Sequence, residues 1–392
     1  PTFPLSSSQQ RLWFAERLSP DSPVNNIPVA VRLRGILNVP ALGASLRALV
    51  RRHDILQVTI DEKTGVPFQE VSGSWDMPLT LRDLHGVDAQ TRESELRHLI
   101  KQETASRFDL LHGPLMRMLL LRVDEHEHVL IATFHHLIMD GWSVRLLCEQ
   151  LNVAYRAACS GEQILWPSPA VPYRDYVVWE QRGRDQRRRD TQRLYWEQQL
   201  RNPPAPIELP IDFPRSSEVR HGCRTVAFDF SAAETEAFDR FCLQMGITPF
   251  MATVAGFAAL LFRYTGETDL VVGAPVSNRA VRMVEQVLGC MVNTVALRVD
   301  LSQNPTVRAL IAQVRQVVAT ATDHQDLPFE EVLRAVYPDR DEIRAPLFRL
   351  MVAWEEDAVA ALDLGGVSAE RVQIERVATP FDPTRKAEYD RS

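Results

Sequence analysis

"FHHLIMDGWS", residues 134–143, closes an apolar run and sets Asp140 and Gly141 four and five places after His136. Upstream, "VLIATF" is the continuous apolar stretch of a buried central strand. Downstream, "WSVRLLCEQLNVAYRAAC" (142–159) has apolar residues at 142, 146, 147, 151, 154, 155 and 158, an amphipathic helix facing a core. The stretch is therefore the loop between a central strand and a helix, and it places the chain in the mixed α/β class. One reading is structural: a satisfied histidine at a strand end, Asp140 as helix N-cap, Gly141 as a sharp turn. The other is chemical. A neutral imidazole can accept or present a proton near pH 7, and at the strand's C-terminal end His136 would project into a cleft. No H-E-x-x-H or second ligand cluster accompanies it, so no metal is expected. No G-x-S-x-G elbow supports a serine triad. What remains is a lone histidine serving acyl transfer, the nucleophile coming from a second substrate.

Working outward, "SQQRLWFAERL" (8–18) has helical spacing with Ser8 or a nearby serine as cap. "VAVRLRG" (29–35) alternates as a strand, and "VPALGASLRALVRRHDIL" (39–56) is helical. From about 160 to 220 the texture is proline-rich around the charged "EQRGRDQRRRDTQRLYWEQQL", a connector containing one long helix. Beyond it, "RTVAFDFS" (224–231) predicts a strand, "AAETEAFDRFCLQMG" a helix ending near Gly246, and "TPFMATVAGFAALLFRYTG" (248–266) a buried helix. "DLVVGAPVS" predicts the next strand.

The 392 residues exceed one ordinary core, so two α/β lobes are expected. A formal charge of −7 gives no global reason to expect nucleic acid or an anionic membrane as partner. No apolar run approaches the roughly 20 residues of a bilayer span. The start, "PTFPLSSSQQRLW", lacks a signal-peptide pattern, so the expectation is a cytoplasmic chain. Five scattered cysteines without C-x-x-C spacing read as reduced thiols. The six arginines of "RGRDQRRRDTQR" (182–193) could meet an acidic or phosphorylated partner, but interleaved Asp185 and Asp190 favour a solvated helix face.

These residues resemble the condensation domains of nonribosomal peptide synthetases. "HHLIMDG" matches that family's H-H-x-x-x-D-G. "LSSSQQRLWFAERL" (5–18) is similar to S-x-A-Q-x-R-L-W-x-L, with Ser8 in place of Ala. "RRHDILQVTI" (51–60) resembles R-H-E-x-L-R-T-x-F, departing at Asp54, Gln57 and Ile60. "YRDYVVWE" (173–180) resembles Y-x-D-Y-A-V-W. "LGCMVNTVALRV" (288–299) is similar to I-G-x-F-V-N-T-x-x-x-R, with Met291 for the aromatic. "HQDLPFEEVL" (324–333) resembles H-Q-D-x-P-F-E, and "RAPLFRLMVAW" (344–354) is a looser match to the last motif.

The resemblance implies an α/β sandwich of two chloramphenicol-acetyltransferase-like lobes in a V around a tunnel. The lobes would be an N-terminal one at 1–165 and, at 166–392, a connector with a C-terminal one. It implies amide formation: a downstream carrier-bound aminoacyl thioester attacks an upstream carrier-bound acyl or peptidyl thioester, both on phosphopantetheine arms. The domain itself would bind no cofactor or metal, work beside a neighbouring adenylation domain, and be monomeric when excised. His136 would be catalytic, as general base, as positioner of the amine or as stabiliser of the tetrahedral intermediate. His135 would pack or orient the loop, Gly141 would admit the substrate, and Asp140 would pair with Arg279 of "GAPVSNR" as architecture. Trp142 and Ser143 continue the motif into the helix, and Asn293 and Thr294 line the tunnel or merely pair a strand. His324 of "HQDLPFE" reads as part of a structural turn.

Neither the partner glutamate of epimerization domains nor the D-x-x-x-x-D of heterocyclization domains is present. "SSSQQRLWF" and "NNIPVAVRLRG" look most like the subtype joining an L-configured donor to an L-amino acid. A noncatalytic recruiting module, which would carry a damaged motif such as H-R-x-x-x-D-D, and a free-standing acyltransferase are the rivals. After "ATPFD" (378–382) the family runs through further strands and a final helix, whereas this sequence stops at "PTRKAEYDRS", so the second lobe is expected to be incomplete at its C-terminus.

Overall fold

A computed structural model of the chain describes residues 2–18, 20, 22–73, 79–167, 171–182, 186–211, 225–338, 347–374 and the backbone of 384–389. In chain order the first half forms β1 (Thr2–Pro4), α1 (Ser7–Leu18), β2 (Asn26–Arg34), α2 (Val39–Arg52), β3 (Val58–Lys63), β4 (Val66–Val71), β5 (Thr80–Asp83), α3 (Ala89–Ala105), β6 (Met116–Asp124), β7 (Glu127–His135) and α4 (Gly141–Ser160). The helices α5 (Tyr173–Arg182), α6 (Gln186–Gln199), α7 (Ala232–Met245) and α8 (Pro249–Thr265) follow. The chain then forms β8 (Asp269–Val276), β9 (Asn293–Asp300), α9 (Val307–Asp323), α10 (Phe329–Val336), β10 (Met351–Glu356), β11 (Ser368–Arg371) and β12 (Thr384–Tyr389).

β7 is the middle of the sheet β11-β2-β7-β6-β5, antiparallel to both its neighbours. Its apolar run is unbroken because both faces are covered. Leu130, Ala132 and Phe134 enter a core shared with α2 and α4, while Val129 and Ile131 meet Leu96, Leu99 and Ile100 of α3. The second sheet, β12-β10-β8-β9, backs onto α8 and α9 around Val272, Leu297, Leu261 and Val314. A small sheet, β1-β4-β3, flanks the first. The late chain returns to the first core twice. Val284, Val287, Leu288 and Met291 pack there, and so do Val359, Leu362, Leu364 and Val367, after which β11 pairs with β2.

Helix ends follow the capping residues. Ser6 Oγ accepts from Gln9 N at 3.2 Å and Gln9 Oε1 accepts from Ser6 N at 2.9 Å, so α1 is capped by Ser6 rather than Ser8. Ser231 and Glu234 form the same reciprocal box on α7, which ends at Gly246 with φ 62°.

Two expectations change. The helix from 39 stops at Arg52, and 54–57 turn more tightly as His53 is buried against Gln150. The connector is helical over Tyr173–Arg182 and Gln186–Gln199, with 183–185 outside the described residues. α5 serves the first core through Tyr173, Tyr176 and Val177, whereas α6 serves the second through Trp196. The predicted strand at 224–231 is absent: residues 225–230 join no sheet among the described residues, and Val226, Phe228 and Phe230 stand exposed. Arg224, Cys223 and the "ATPFD" stretch lie outside the described residues, as does Ser392, while 384–389 form β12 parallel to β10. The described cysteines are free, with Cys148, Cys242 and Cys290 buried and Cys159 exposed. Among the described residues no single helix is long and apolar enough to cross a membrane, and no group of three or more His, Cys, Asp or Glu could hold a metal.

Trp196 is fully buried and its Nε1 donates to His324 O at 3.0 Å, fastening the connector to the second core. Trp196→Ala should cost about 3–5 kcal/mol, read as a lower urea midpoint.

Candidate active site

The 134–143 stretch is held from three directions. Pairing of β7 with β2 ends at His135 opposite Asn26, and His136 N donates to Asn25 O at 2.8 Å. Gln9 of α1 donates from Nε2 to Leu137 O at 2.8 Å. α4 then starts at Gly141 with Asp140 as its N-cap, Oδ1 accepting from Ser143 N at 2.8 Å.

The two histidines carry their protons on opposite nitrogens. His136 Nδ1 lies 2.9 Å from Met139 O. A carbonyl can only accept, so Nδ1 carries the hydrogen and Nε2 keeps its lone pair. His135 does the reverse: Nδ1 accepts from Leu137 N at 3.1 Å, and Nε2 faces Glu16 Oε2 at 3.5 Å. His135 is buried edge-on against Phe108, whereas His136 is half-buried. Burial is the largest influence holding the His136 pKa below its ordinary value, and Arg11 pushes the same way. Asp140 and the hydrogen bond to Met139 O pull it back up. Cys290 Sγ sits 3.8 Å from His136 Nδ1, and burial pushes its thiol pKa far up, so it stays protonated.

Asp140 commits its carboxylate to structure. Arg279 Nη2 lies 3.2 Å from both carboxylate oxygens, and Met291 N donates to Oδ2 at 2.9 Å. Asp140 is 2% and Arg279 5% exposed. Arg279 also donates to Val284 O, Val287 O, Gly289 O and Ser143 Oγ. Ser143 Oγ donates to Gly289 O at 2.8 Å and accepts from Gly289 N at 3.1 Å. Trp142, exposed over part of its ring, donates from Nε1 to Glu285 O at 2.9 Å. The pair is thus one node in a densely bonded knot between the α4 start and the 279–291 loop, as a buried ion pair requires.

Asn293 and Thr294 are brought to the same side but are already engaged. Asn293 Nδ2 donates to Gln325 O and Leu327 O and its Oδ1 accepts from Phe329 N, which binds the "HQDLPF" turn to β9. Thr294 Oγ1 accepts from Arg11 Nη1 at 2.9 Å. Asn293 also lines a small cleft with Arg11, Asn278 and Glu330. His324 ends α9, its ring stacked on Tyr195 at 3.8 Å. The arginine run is used internally: Arg188 pairs with Asp326, Arg189 with Glu331 and Arg193 with Glu197.

Sequence reasoning passed over Arg11, Tyr173, Gly289 and Cys290, although each stands inside a quoted motif. Tyr173 is buried at the junction, its OH 2.9 Å from Ser6 Oγ and donating to Cys290 O at 2.5 Å. Burial raises its pKa well above the ordinary range. A Cβ on Gly289 would lie 2.2 Å from the Tyr173 ring, and Gly289 has φ +148°.

A family model described as condensation domain matches residues 1–388. The chain belongs to the condensation-domain family. A linear gramicidin synthase of Brevibacillus parabrevis is 35% identical over 97% of this chain. A phosphinothricin tripeptide synthetase of Streptomyces viridochromogenes is 35% identical over 94%. This condensation domain spans only 7% and 34% of their lengths. Among solved structures, the X-domain from teicoplanin biosynthesis superposes with a TM-score of 0.83 at 26% identity, covering 99% of this chain and 86% of that one. The starter condensation domain of rhizomide synthetase gives 0.86 at 23% identity with the same coverage, a likeness of fold. The fold is therefore the mixed α/β, acetyltransferase-like architecture expected from the motifs.

The two motif glycines separate packing from access. Gly289→Ala should cost about 1–3 kcal/mol through overpacking against Tyr173, with backbone strain in addition. A Cβ on Gly141 meets nothing within 4 Å, so Gly141→Ala should unfold at or slightly above the parent midpoint. Thermal melts of both variants check this.

Proposed function

We propose that this condensation domain forms an amide bond between an upstream carrier-bound acyl or peptidyl thioester and the α-amine of a downstream carrier-bound aminoacyl thioester. The observation that carries the reading is the His136 ring: Nδ1–H is committed to Met139 O, so Nε2 is left as an acceptor on a rigid loop. His136 is then the catalytic residue. Its Nε2 receives an N–H of the incoming amine and aims the nitrogen lone pair at the thioester carbonyl. The C–N bond forms, the amine becomes acidic as it does so, and the imidazole takes the proton. Collapse breaks the C–S bond, and the proton ends on the departing pantetheine sulfur. A depressed imidazole pKa suits this role, because the ring stays neutral near pH 7 and is ready to accept.

Gly141 contributes space at the start of α4, where a side chain would meet only substrate. His135 braces the loop, and Asp140 with Arg279 fixes it against the other half. Trp142, Ser143, Asn293 and Thr294 act through the frame rather than on substrate, since the structure uses their polar atoms internally. The same proposal takes 1–165 as the N-terminal lobe and 166–392 as connector plus C-terminal lobe. The separate cores support it, with 284–291 and 358–371 as the stretches that reach back. It also takes the L-donor, L-acceptor subtype, carrier domains and an adenylation domain as partners, no cofactor of its own, a cytoplasmic setting and a monomer when excised. The intact H-H-x-x-x-D-G favours chemistry over recruitment alone.

The test loads two carrier domains with model acyl and aminoacyl thioesters and measures dipeptidyl product. His136→Ala should lower turnover by about 10²–10⁴-fold in a folded protein, and unchanged turnover would remove the assignment. Gly141→Ala should fold normally yet react more slowly.

A further inference from the structure

We propose that Arg11 is a positioning residue for this reaction: its guanidinium, held across the two halves of the chain, fixes the wall beside His136 and supplies the positive charge facing that ring. The inference rests on the reading of His136 given above.

Arg11 projects from α1, the helix that also holds the histidine loop through Gln9 and Glu16. Its Nη1 donates to Thr294 Oγ1 at 2.9 Å and its Nη2 to Val292 O at 3.4 Å. Glu330 of α10 lies 3.8 Å from Nε, a loose, partly exposed pair. Val292 is two residues from Cys290, whose Sγ is 3.8 Å from His136 Nδ1. Moving Arg11 would therefore move the strand end that borders the imidazole. A lysine could supply the charge but not two directed bonds in a plane.

Charge gives the second line of argument. Among the described residues, the ionisable groups around the His136 loop include Asp140 at the cap with Arg279 bound to it, Cys290 in the facing loop with the Tyr173 hydroxyl on its carbonyl, His135 with Glu16 beside it, and Arg11 of α1 with Glu330. Asp140 is neutralised by Arg279 and by backbone donors, and the Cys290 thiol is protonated. Arg11 meets Glu330 only loosely, at 3.8 Å from Nε on a partly exposed edge. It disfavours imidazolium and adds to the effect of burial.

The sign follows directly. Removing the Arg11 charge lets the His136 pKa rise, so the acidic limb of the rate–pH profile moves to higher pH. A shift of about half a unit would slow the reaction about twofold at the pH of the parent midpoint. Arg11→Gln and Arg11→Met should show this move, and Arg11→Lys should restore the limb while keeping a lower plateau. Thr294→Val, which loosens the guanidinium without changing charge, should lower the plateau with a smaller move. If neutral variants lower the plateau but leave the limb in place, Arg11 is only a brace and the proposal fails. NMR titration of the His136 ring in the same proteins reads the shift without turnover. An absent product in the parent would overturn the condensation reading while that titration still decides the role of Arg11. Should neither neutral variant fold, the Thr294→Val titration decides, and an unmoved ring overturns the proposal.

Discussion

A single carboxylate organises the histidine loop and its surroundings. Asp140 caps α4, binds the Met291 amide and takes both its ionic bonds from Arg279. Its partners lie in two segments, the α4 start and the 279–291 loop, and all are excluded from water. An aspartate so placed cannot be relaxed locally, because a lost partner leaves a buried charge or donor unsatisfied. The cost of disorder is thereby spread over the loop, the helix start and the 279–291 segment together. The role proposed for His136 needs that rigidity, since aiming a lone pair at a carbonyl depends on small angles.

The histidine pair shows how a frame divides labour between neighbouring identical residues. Strand geometry turns His135 into the sheet's covered end, where Leu137 N fixes one nitrogen. One residue later the chain has left the ladder, and His136 turns its Nδ1 back to Met139 O. Opposite tautomers follow from these two backbone partners, one a donor and the other an acceptor.

Much of this was legible in the residues. The apolar run of β7 and the cap at Asp140 follow from periodicity and capping chemistry, and the Arg279 partner is what the family resemblance implies. Residues 225–230 join no sheet among the described residues, because alternation describes a face and says nothing about which partner will pair with it. The apolar residues of the connector serve two different cores, which a single periodicity cannot convey. Asn293 and Thr294 read as lining the tunnel or pairing a strand, and their polar atoms are bound to the 325–329 turn and to Arg11. Such long-range hydrogen bonds leave no local pattern, which is also why Arg11, Tyr173 and Gly289 went unassigned inside motifs already in view.

A double-mutant cycle on Asp140 and Arg279, using Asp140→Asn, Arg279→Met and the pair, measured by urea unfolding, tests the knot most directly. The account predicts strongly non-additive losses, with a coupling of about 1–3 kcal/mol, as expected for residues sharing one network. Additive losses would contradict it, leaving the histidine loop without the anchor on which its chemistry is argued to depend.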